Sequence, residues 1–214
     1  MTLQLTLIDE LIREQHYYLE PDDSCYFFGE YTARQGAAHS ETNQLILNLK
    51  KGNDRRGFSD YHYKGQAISR VAQMITEAIS DLDEFTFVPI PPSKCVDDPA
   101  YDDRMTAILR ICRELIPSVD YRELVVQNTS TTASHMAVNR PSPDEIVANY
   151  RINTDLLEGC RSNIVIFDDV LTAGSHFKAM KTFLRQSLPE ANIAGLFVAR
   201  TARNADLTNI TDIL

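Results

Sequence analysis

The sequence has no tryptophan, four cysteines among 214 residues, and no apolar run of the roughly 18 residues that a membrane-spanning helix needs. The cysteines are scattered and include no Cys-x-x-Cys pair, which argues against a zinc cluster or a disulfide framework. The first sixteen residues carry Asp9, Glu10 and Glu14 in place of the basic start of a secretory signal. We therefore expect a cytoplasmic protein with reduced thiols and no membrane partner.

Positive charge is also scarce. The chain has 21 Lys and Arg against 30 Asp and Glu, which gives a formal net charge of −9. Such a chain lacks the overall basic field of a non-specific nucleic-acid binder, so strong nucleic-acid binding is not expected. With 43% apolar and 24% charged residues, the composition is that of an ordinary globular protein with a core of its own.

The first 80 residues predict an N-terminal appendage of helices and strands. Apolar spacing indicates a short helix over residues 3–15 and a longer helix with one apolar face over residues 67–79. Between them, Cys25–Tyr31 and residues 44–49 are interpreted as strands.

Residues 81–214 predict an α/β core that forms one folding unit with this appendage. The patterns indicate a strand over 85–90, a helix over 103–116, a short strand at 124–126, and a long polar loop over 127–150 with one short helical piece. Residues 163–167 form a continuous apolar run, which is typical of a strand buried on both faces of a parallel sheet. A helix to about residue 187 and a strand over 193–199 complete a β-α-β unit. The predicted fold is a parallel sheet flanked by helices.

An acidic pair and a small-residue loop follow the apolar run. Asp168 and Asp169 stand at the carboxyl end of the predicted strand, where parallel sheets bind their ligands. The next residues offer what a phosphate needs, namely hydroxyls, small side chains and a helix N-terminus: Thr172, Ala173, Gly174, Ser175 and His176. The carboxylates would then face the hydroxyls of a sugar or a hydrated Mg²⁺, unless they only complement the helix dipole.

Residues 164–174 resemble the phosphoribosyl pyrophosphate (PRPP) signature of type I phosphoribosyltransferases. The resemblance implies a parallel sheet with a small hood, with Asp168 and Asp169 as the catalytic acidic pair on the ribose hydroxyls. It also implies that residues 172–176 cradle the 5′-phosphate. His176 stands where the family usually has a small hydroxyl residue or alanine.

Further segments resemble the ComF-type (competence-associated) branch of that family. Residues 43–51 are similar to the stretch before the core, and residues 140–150 to a short Arg…Asn-aromatic element. Residues 87–94 are similar to the strand-end loop that corresponds to the diphosphate-binding loop, which assigns Pro92, Ser93 and Lys94 to a diphosphate. The cysteine-rich zinc ribbon of the ComF branch is missing from this sequence, so no zinc is expected.

An acidic stretch follows the predicted diphosphate loop: Asp97, Asp98, Asp102 and Asp103. Arg104 is the best candidate to offset this charge and to join the diphosphate site. Alternatively, Asp102 or Asp103 caps the next helix, and the sequence leaves both interpretations open. His135 and Arg140, in the long polar loop, are candidates to close over a substrate.

Two functions are therefore expected as alternatives. The first is a phosphoribosyltransferase that binds PRPP with Mg²⁺ and transfers the phosphoribosyl group to an unidentified base or amine. The diphosphate would carry the Mg²⁺, and the acidic pair would reach the ion through water. The second is a non-catalytic protein that binds PRPP or a nucleotide 5′-monophosphate, or a ComF-like accessory in DNA uptake or nucleic-acid handling. A homodimer is left open.

Overall fold

The computed structural model describes residues 4–131 and 141–202. Their strands are, in chain order, β1 (Thr6–Leu7), β2 (Cys25–Tyr31), β3 (Phe85–Pro89), β4 (Asp120–Tyr121), β5 (Val125–Gln127), β6 (Tyr150–Ile152), β7 (Asn163–Leu171) and β8 (Asn192–Thr201). Their helices are α1 (Glu10–Arg13), α2 (Glu41–Leu49), α3 (His62–Ala78), α4 (Arg104–Leu115), α5 (Pro143–Val147) and α6 (Ser175–Ser187).

Six strands form the main sheet in the order β1-β2-β8-β7-β3-β4. The four inner pairings, from β2 to β4, are parallel, and β1 lies antiparallel to β2 at one edge. β5 and β6 form a separate two-stranded antiparallel sheet. The predicted α/β class with a mostly parallel sheet and flanking helices is confirmed.

Helices cover both faces of the sheet. On one face, α2, α3 and α4 contribute buried residues such as Ile46, Val71 and Ile108 to a single hydrophobic cluster. On the other face, Phe177 of α6 packs with the small sheet and with Leu19 of the N-terminal segment. Successive residues of β7 alternate between the two clusters, which explains why its sequence is an unbroken apolar run.

The prediction of a strand at residues 44–49 is wrong, because these residues belong to α2. Ser40 caps this helix by accepting a hydrogen bond from the Asn43 N–H, and the buried positions Thr42, Ile46 and Leu49 follow helical spacing. The Asn43 side chain bonds the backbone of Thr32 and so braces the connection from β2.

The expected N-terminal helix over residues 3–15 is also wrong in extent. The structure has the short strand β1 followed by the single turn α1, whose N-cap Asp9 accepts from the Ile12 N–H. β1 and β2 both belong to the main sheet, so the first 80 residues supply two of its six strands. The other predicted helices and strands of the core are confirmed with small shifts of their ends.

Candidate functional site

The acidic pair lies where β7 extends beyond β3. The two strands pair only as far as Pro89 and Phe167, whereas β7 continues along β8 to Leu171. Asp168 and Asp169 therefore lie within β7, and not after its end as the sequence suggested. Within the described part of the chain, this stretch has β8 on one side and no paired strand on the other. Such an opening at the carboxyl ends of parallel strands is where this class of sheet binds ligands.

Asp169 is buried between two cations. Its side chain is 6% exposed, with Lys50 Nζ at 3.1 Å from one carboxylate oxygen and an Arg104 terminal nitrogen at 2.6 Å from the other. Burial raises the pKa of Asp169, but the charges of Lys50 and Arg104 outweigh it and hold the pKa well below its ordinary value. The carboxylate is thus ionised and shared by α2 and α4.

A second carboxylate, that of Asp102, also binds Arg104. Asp102 accepts hydrogen bonds from Arg104 at 2.9 Å and from Lys64 of α3 at 2.8 Å. Lys64 is buried and also donates to the Lys51 carbonyl oxygen at 2.6 Å. We call Lys50, Lys64 and Arg104 the cation cluster, because three helices bring them together around two carboxylates.

Asp168 has a different environment. It is half-buried, and one of its carboxylate oxygens accepts a hydrogen bond from the Asp169 N–H at 2.8 Å. Burial and the neighbouring Asp169 charge raise the pKa of Asp168 to about 7. The buried Tyr150 hydroxyl lies close enough for burial and the Asp168 charge to raise its own pKa. The two adjacent carboxyl groups therefore differ in charge state near neutral pH.

The predicted phosphate loop turns sharply into α6. Gly174 has a left-handed backbone with φ of 88°, and a Cβ at this position would lie 3.0 Å from a Leu19 methyl group. Thr172 is exposed, whereas Ser175 is buried as the first residue of α6. The geometry requires glycine and leaves the N–H groups of the first turn of α6 at the loop.

His176 follows in the first turn of α6. Burial lowers its pKa, an effect that the Asp169 charge partly opposes. The imidazole is therefore neutral at pH 7 and lies close enough to Asp169 and Lys50 to sense both charges.

An N-terminal segment fastens this loop. The Ala173 carbonyl oxygen accepts from the Tyr18 N–H at 2.8 Å, and the Thr172 carbonyl oxygen accepts from His16 Nδ1. These bonds fasten the loop to the N-terminal segment through two of its carbonyl groups.

Salt bridges hold the same segment on α6. The Asp23 side chain is fully buried and bonds both Lys178 and Lys181, which also bond Glu20 and Asp22 respectively. The three carboxylates are close enough together to hold a metal ion, but the two ammonium groups already form ion pairs with all three of them.

Of the residues predicted for the diphosphate, Arg104 contacts the acidic pair, and the loop residues have other partners. The Pro92 carbonyl oxygen accepts from the Gln127 side chain at 2.9 Å, and the Ser93 carbonyl oxygen accepts from the Thr131 N–H at 2.7 Å. Lys94 lies 3.8 Å from Asp98, whereas Arg104 contacts Asp169 directly.

Cations balance much of the acidic stretch. Asp98 pairs with Lys94, Asp102 with Lys64 and Arg104, and Asp103 with Arg110 at 3.5 Å. Asp103 occupies the N-cap position of α4, but its side chain makes no capping hydrogen bond. Arg104 thus offsets the charge of Asp102, and side-chain capping by Asp103 is wrong.

Sequence reasoning missed Lys50 and Lys64 as members of the site. Their partners lie 119 and 38 positions away, and neither residue belongs to a local motif that signals a charge pair. His135 and Arg140 lie outside the described residues.

Comparison with protein-family models finds no match for this chain, and comparison with curated proteins finds none either. Over residues 4–131 and 141–202, no helix has the length and apolar character required to cross a bilayer.

Proposed function

We propose that this protein binds PRPP with Mg²⁺ and transfers its phosphoribosyl group to a base or amine, with release of diphosphate. The observation that carries the proposal is the position of Asp168 and Asp169. They lie in the part of β7 that extends beyond its pairing with β3, directly before the loop that leads into α6. A sugar phosphate needs hydroxyl acceptors and an anion site a few residues apart, and this segment offers both. On this proposal the sheet is of the type I phosphoribosyltransferase kind, and the N-terminal part of the chain adds β1 and β2 to it.

The acidic pair would accept hydrogen bonds from the ribose hydroxyls. Asp168 is the more accessible carboxyl group, whereas Asp169 is held by Lys50 and Arg104. The 5′-phosphate would bind the amide face at Thr172 to Ser175, since α6 begins there and its first amides have no partner within the helix. His176 lies in the first turn of α6, and its lowered pKa means that it adds no positive charge to this site.

The diphosphate would lie toward Arg104 and the Ser93–Lys94 loop. A positive guanidinium next to the departing diphosphate stabilises the charge that develops as the C1–O bond breaks. Two adjacent carboxyl groups fit Mg²⁺, which prefers oxygen ligands and keeps several waters, and the ion would neutralise part of the diphosphate charge. The remaining contribution of the chain is to hold donor and acceptor in line at C1.

One observation favours the second candidate, a protein that binds PRPP or a nucleotide without catalysis. The loop carbonyl groups and Asp169 already have partners within the chain, so the site is neutralised and fastened before any ligand arrives. A binding protein needs no more than this, whereas an enzyme must also admit an acceptor.

Thermal unfolding with and without ligand tests the proposal. The purified chain is heated with PRPP plus Mg²⁺, PRPP alone, ribose 5-phosphate, or a nucleoside monophosphate. At 100 times its dissociation constant a ligand stabilises the fold by about 2.7 kcal/mol, which is a shift of roughly 5–11 °C for a chain of this size.

A Mg²⁺-dependent shift with PRPP that the Asp168→Asn variant loses supports the donor site, and diphosphate release on adding bases or amines then tests transfer. A shift with the nucleotide alone supports the binding protein. No shift with any of these compounds contradicts both.

A further inference from the structure

The cation cluster presents more positive charge to the site than Asp169 requires. Lys50 and Arg104 both contact this one carboxylate, and their side chains are 34% and 23% exposed, against 6% for Asp169. The cations therefore form the accessible face of the pair, and the carboxylate lies beneath them. An anion arriving from solvent would meet Lys50 and Arg104 before it met Asp169.

The position of Arg104 is unfavourable for its own helix. Arg104 is the first residue of α4, where the helix dipole disfavours a cation. Asp102 offsets this charge and is itself fixed by buried Lys64. Because Asp102 holds one terminal nitrogen of Arg104, the guanidinium can release Asp169 without losing its anchor.

Lys50 is placed to work with Arg104. It follows the last residue of α2, where a cation is favourable, and its ammonium group contacts the Asp169 oxygen that Arg104 does not. The two cations thus lie on either side of the Asp169 carboxylate and contact its two oxygens. A guanidinium supplies directed donors and an ammonium a mobile point charge, a combination that suits an anion with several oxygens.

We infer that Lys50 and Arg104 are a paired binding site for a diphosphate group, which Asp169 occupies until the ligand arrives. When diphosphate binds, the two cations exchange the carboxylate for phosphate oxygens, and Asp169 becomes available to the ribose hydroxyls. The inference rests on the proposed function and adds Lys50, from the N-terminal part of the chain, to its ligand contacts. Lys64 acts as a positioning residue through Asp102.

Calorimetric titration of the full chain with inorganic diphosphate and Mg²⁺ tests this inference. Lys50→Gln is expected to weaken diphosphate binding by about tenfold or more, the usual worth of a charge-assisted hydrogen bond. Lys50→Arg is expected to retain most of the affinity. The matched control is Lys51→Gln, because Lys51 is adjacent but bonds Asp60 instead of Asp169, so its affinity should stay within about twofold of the wild type.

The outcomes separate the inference from the proposed function. If wild type and Lys50→Gln bind diphosphate equally, and PRPP still stabilises the protein, the inference is overturned and the proposed function stands. If the wild type binds neither diphosphate nor PRPP, both are overturned. Should Lys50→Gln fail to fold, as judged by circular dichroism, Lys50→Met and Lys50→Arg provide the comparison of a neutral with a charged side chain of similar length.

Discussion

Arg104 donates two hydrogen bonds to one oxygen of Asp169, from Nε at 3.1 Å and from a terminal nitrogen at 2.6 Å. This ion pair joins the first turn of α4 to the part of β7 that extends beyond β3, and the two residues are 65 positions apart in the sequence. Asp169 is therefore part of the fold as well as part of the candidate site, whereas its neighbour Asp168 makes no such ion pair among the described residues. The two carboxyl groups should respond differently to mutation.

Asp169→Asn is expected to lower the free energy of unfolding by about 1–3 kcal/mol, because Lys50 and Arg104 lose a buried counter-ion. Asp168→Asn is expected to leave stability at pH 7–8 unchanged or slightly higher. The raised pKa of Asp168 means that its ionised form costs stability there, and asparagine removes the charge while it can still accept from the Asp169 N–H. Urea unfolding of both variants measures the difference. Equal losses would contradict the distinct environments.

Gly174→Ala is expected to destabilise the protein by about 1–3 kcal/mol, because φ is 88° and the new methyl group would press on Leu19. Gly65→Ala is the matched control, since Gly65 lies in α3 and an added Cβ there would have no neighbouring atom within 4 Å. At that position alanine should stabilise by about 0.5–1 kcal/mol. Denaturant midpoints of the two variants should move in opposite directions, and a shift of the same sign in both would refute the strain argument.

Asp23→Asn is expected to lower the melting temperature by about 4–8 °C at neutral pH, for a loss of about 2 kcal/mol. Burial raises the pKa of Asp23, but hydrogen bonds from the Glu20 N–H, Lys181 and Lys178 lower it overall. A depressed pKa stabilises the fold above the ordinary value of about 4, and this stability is lost as the pH falls through the folded-state pKa.

The melting difference between wild type and Asp23→Asn should therefore be largest near pH 7 and shrink below about pH 4. Calorimetry across this pH range tests the sign. A difference that grows with acidity would show that the salt bridges to α6 are not the cause.

His176→Thr is expected to leave the affinity for ribose 5-phosphate unchanged or increased. The lowered pKa keeps the imidazole neutral at pH 7, so the exchange removes no positive charge from the phosphate loop and provides a smaller hydroxyl. Titration calorimetry with ribose 5-phosphate measures the effect. A loss of affinity of tenfold or more would identify His176 as a direct ligand.

The sequence predicts the elements that have strong periodicity. The apolar run of β7, the amphipathic faces of α3 and α4, and the β7-α6-β8 unit all have patterns long enough to distinguish helix from strand. The prediction for residues 44–49 failed because three consecutive apolar residues fit a helix as well as a strand. The N-cap residue Ser40, which indicates a helix, lies before this segment.

The candidate site was predicted where its residues are neighbours in the chain, from Asp168 to His176. Its cations come from α2, α3 and α4, and only the fold brings Lys50 within 3.1 Å of Asp169. A local pattern carries no information about such distant charge pairs. Lys94 was expected at the diphosphate, and its ammonium group lies 3.8 Å from Asp98, four positions further on. Its contact with a diphosphate stays a prediction.

The strand order has a consequence for how the chain is made. β8 separates β2 from β7, so Cys25 meets its parallel partner Gly195 only after another 170 residues have been synthesised. At about 5–20 residues per second, the edge of β2 that faces β8 waits about 10–30 s for its partner on the ribosome. During that interval a strand that contains Phe27 and Phe28 offers unpaired backbone groups to any other nascent chain. Translation of β8 therefore sets how long this edge of β2 stays unpaired while the chain is being made.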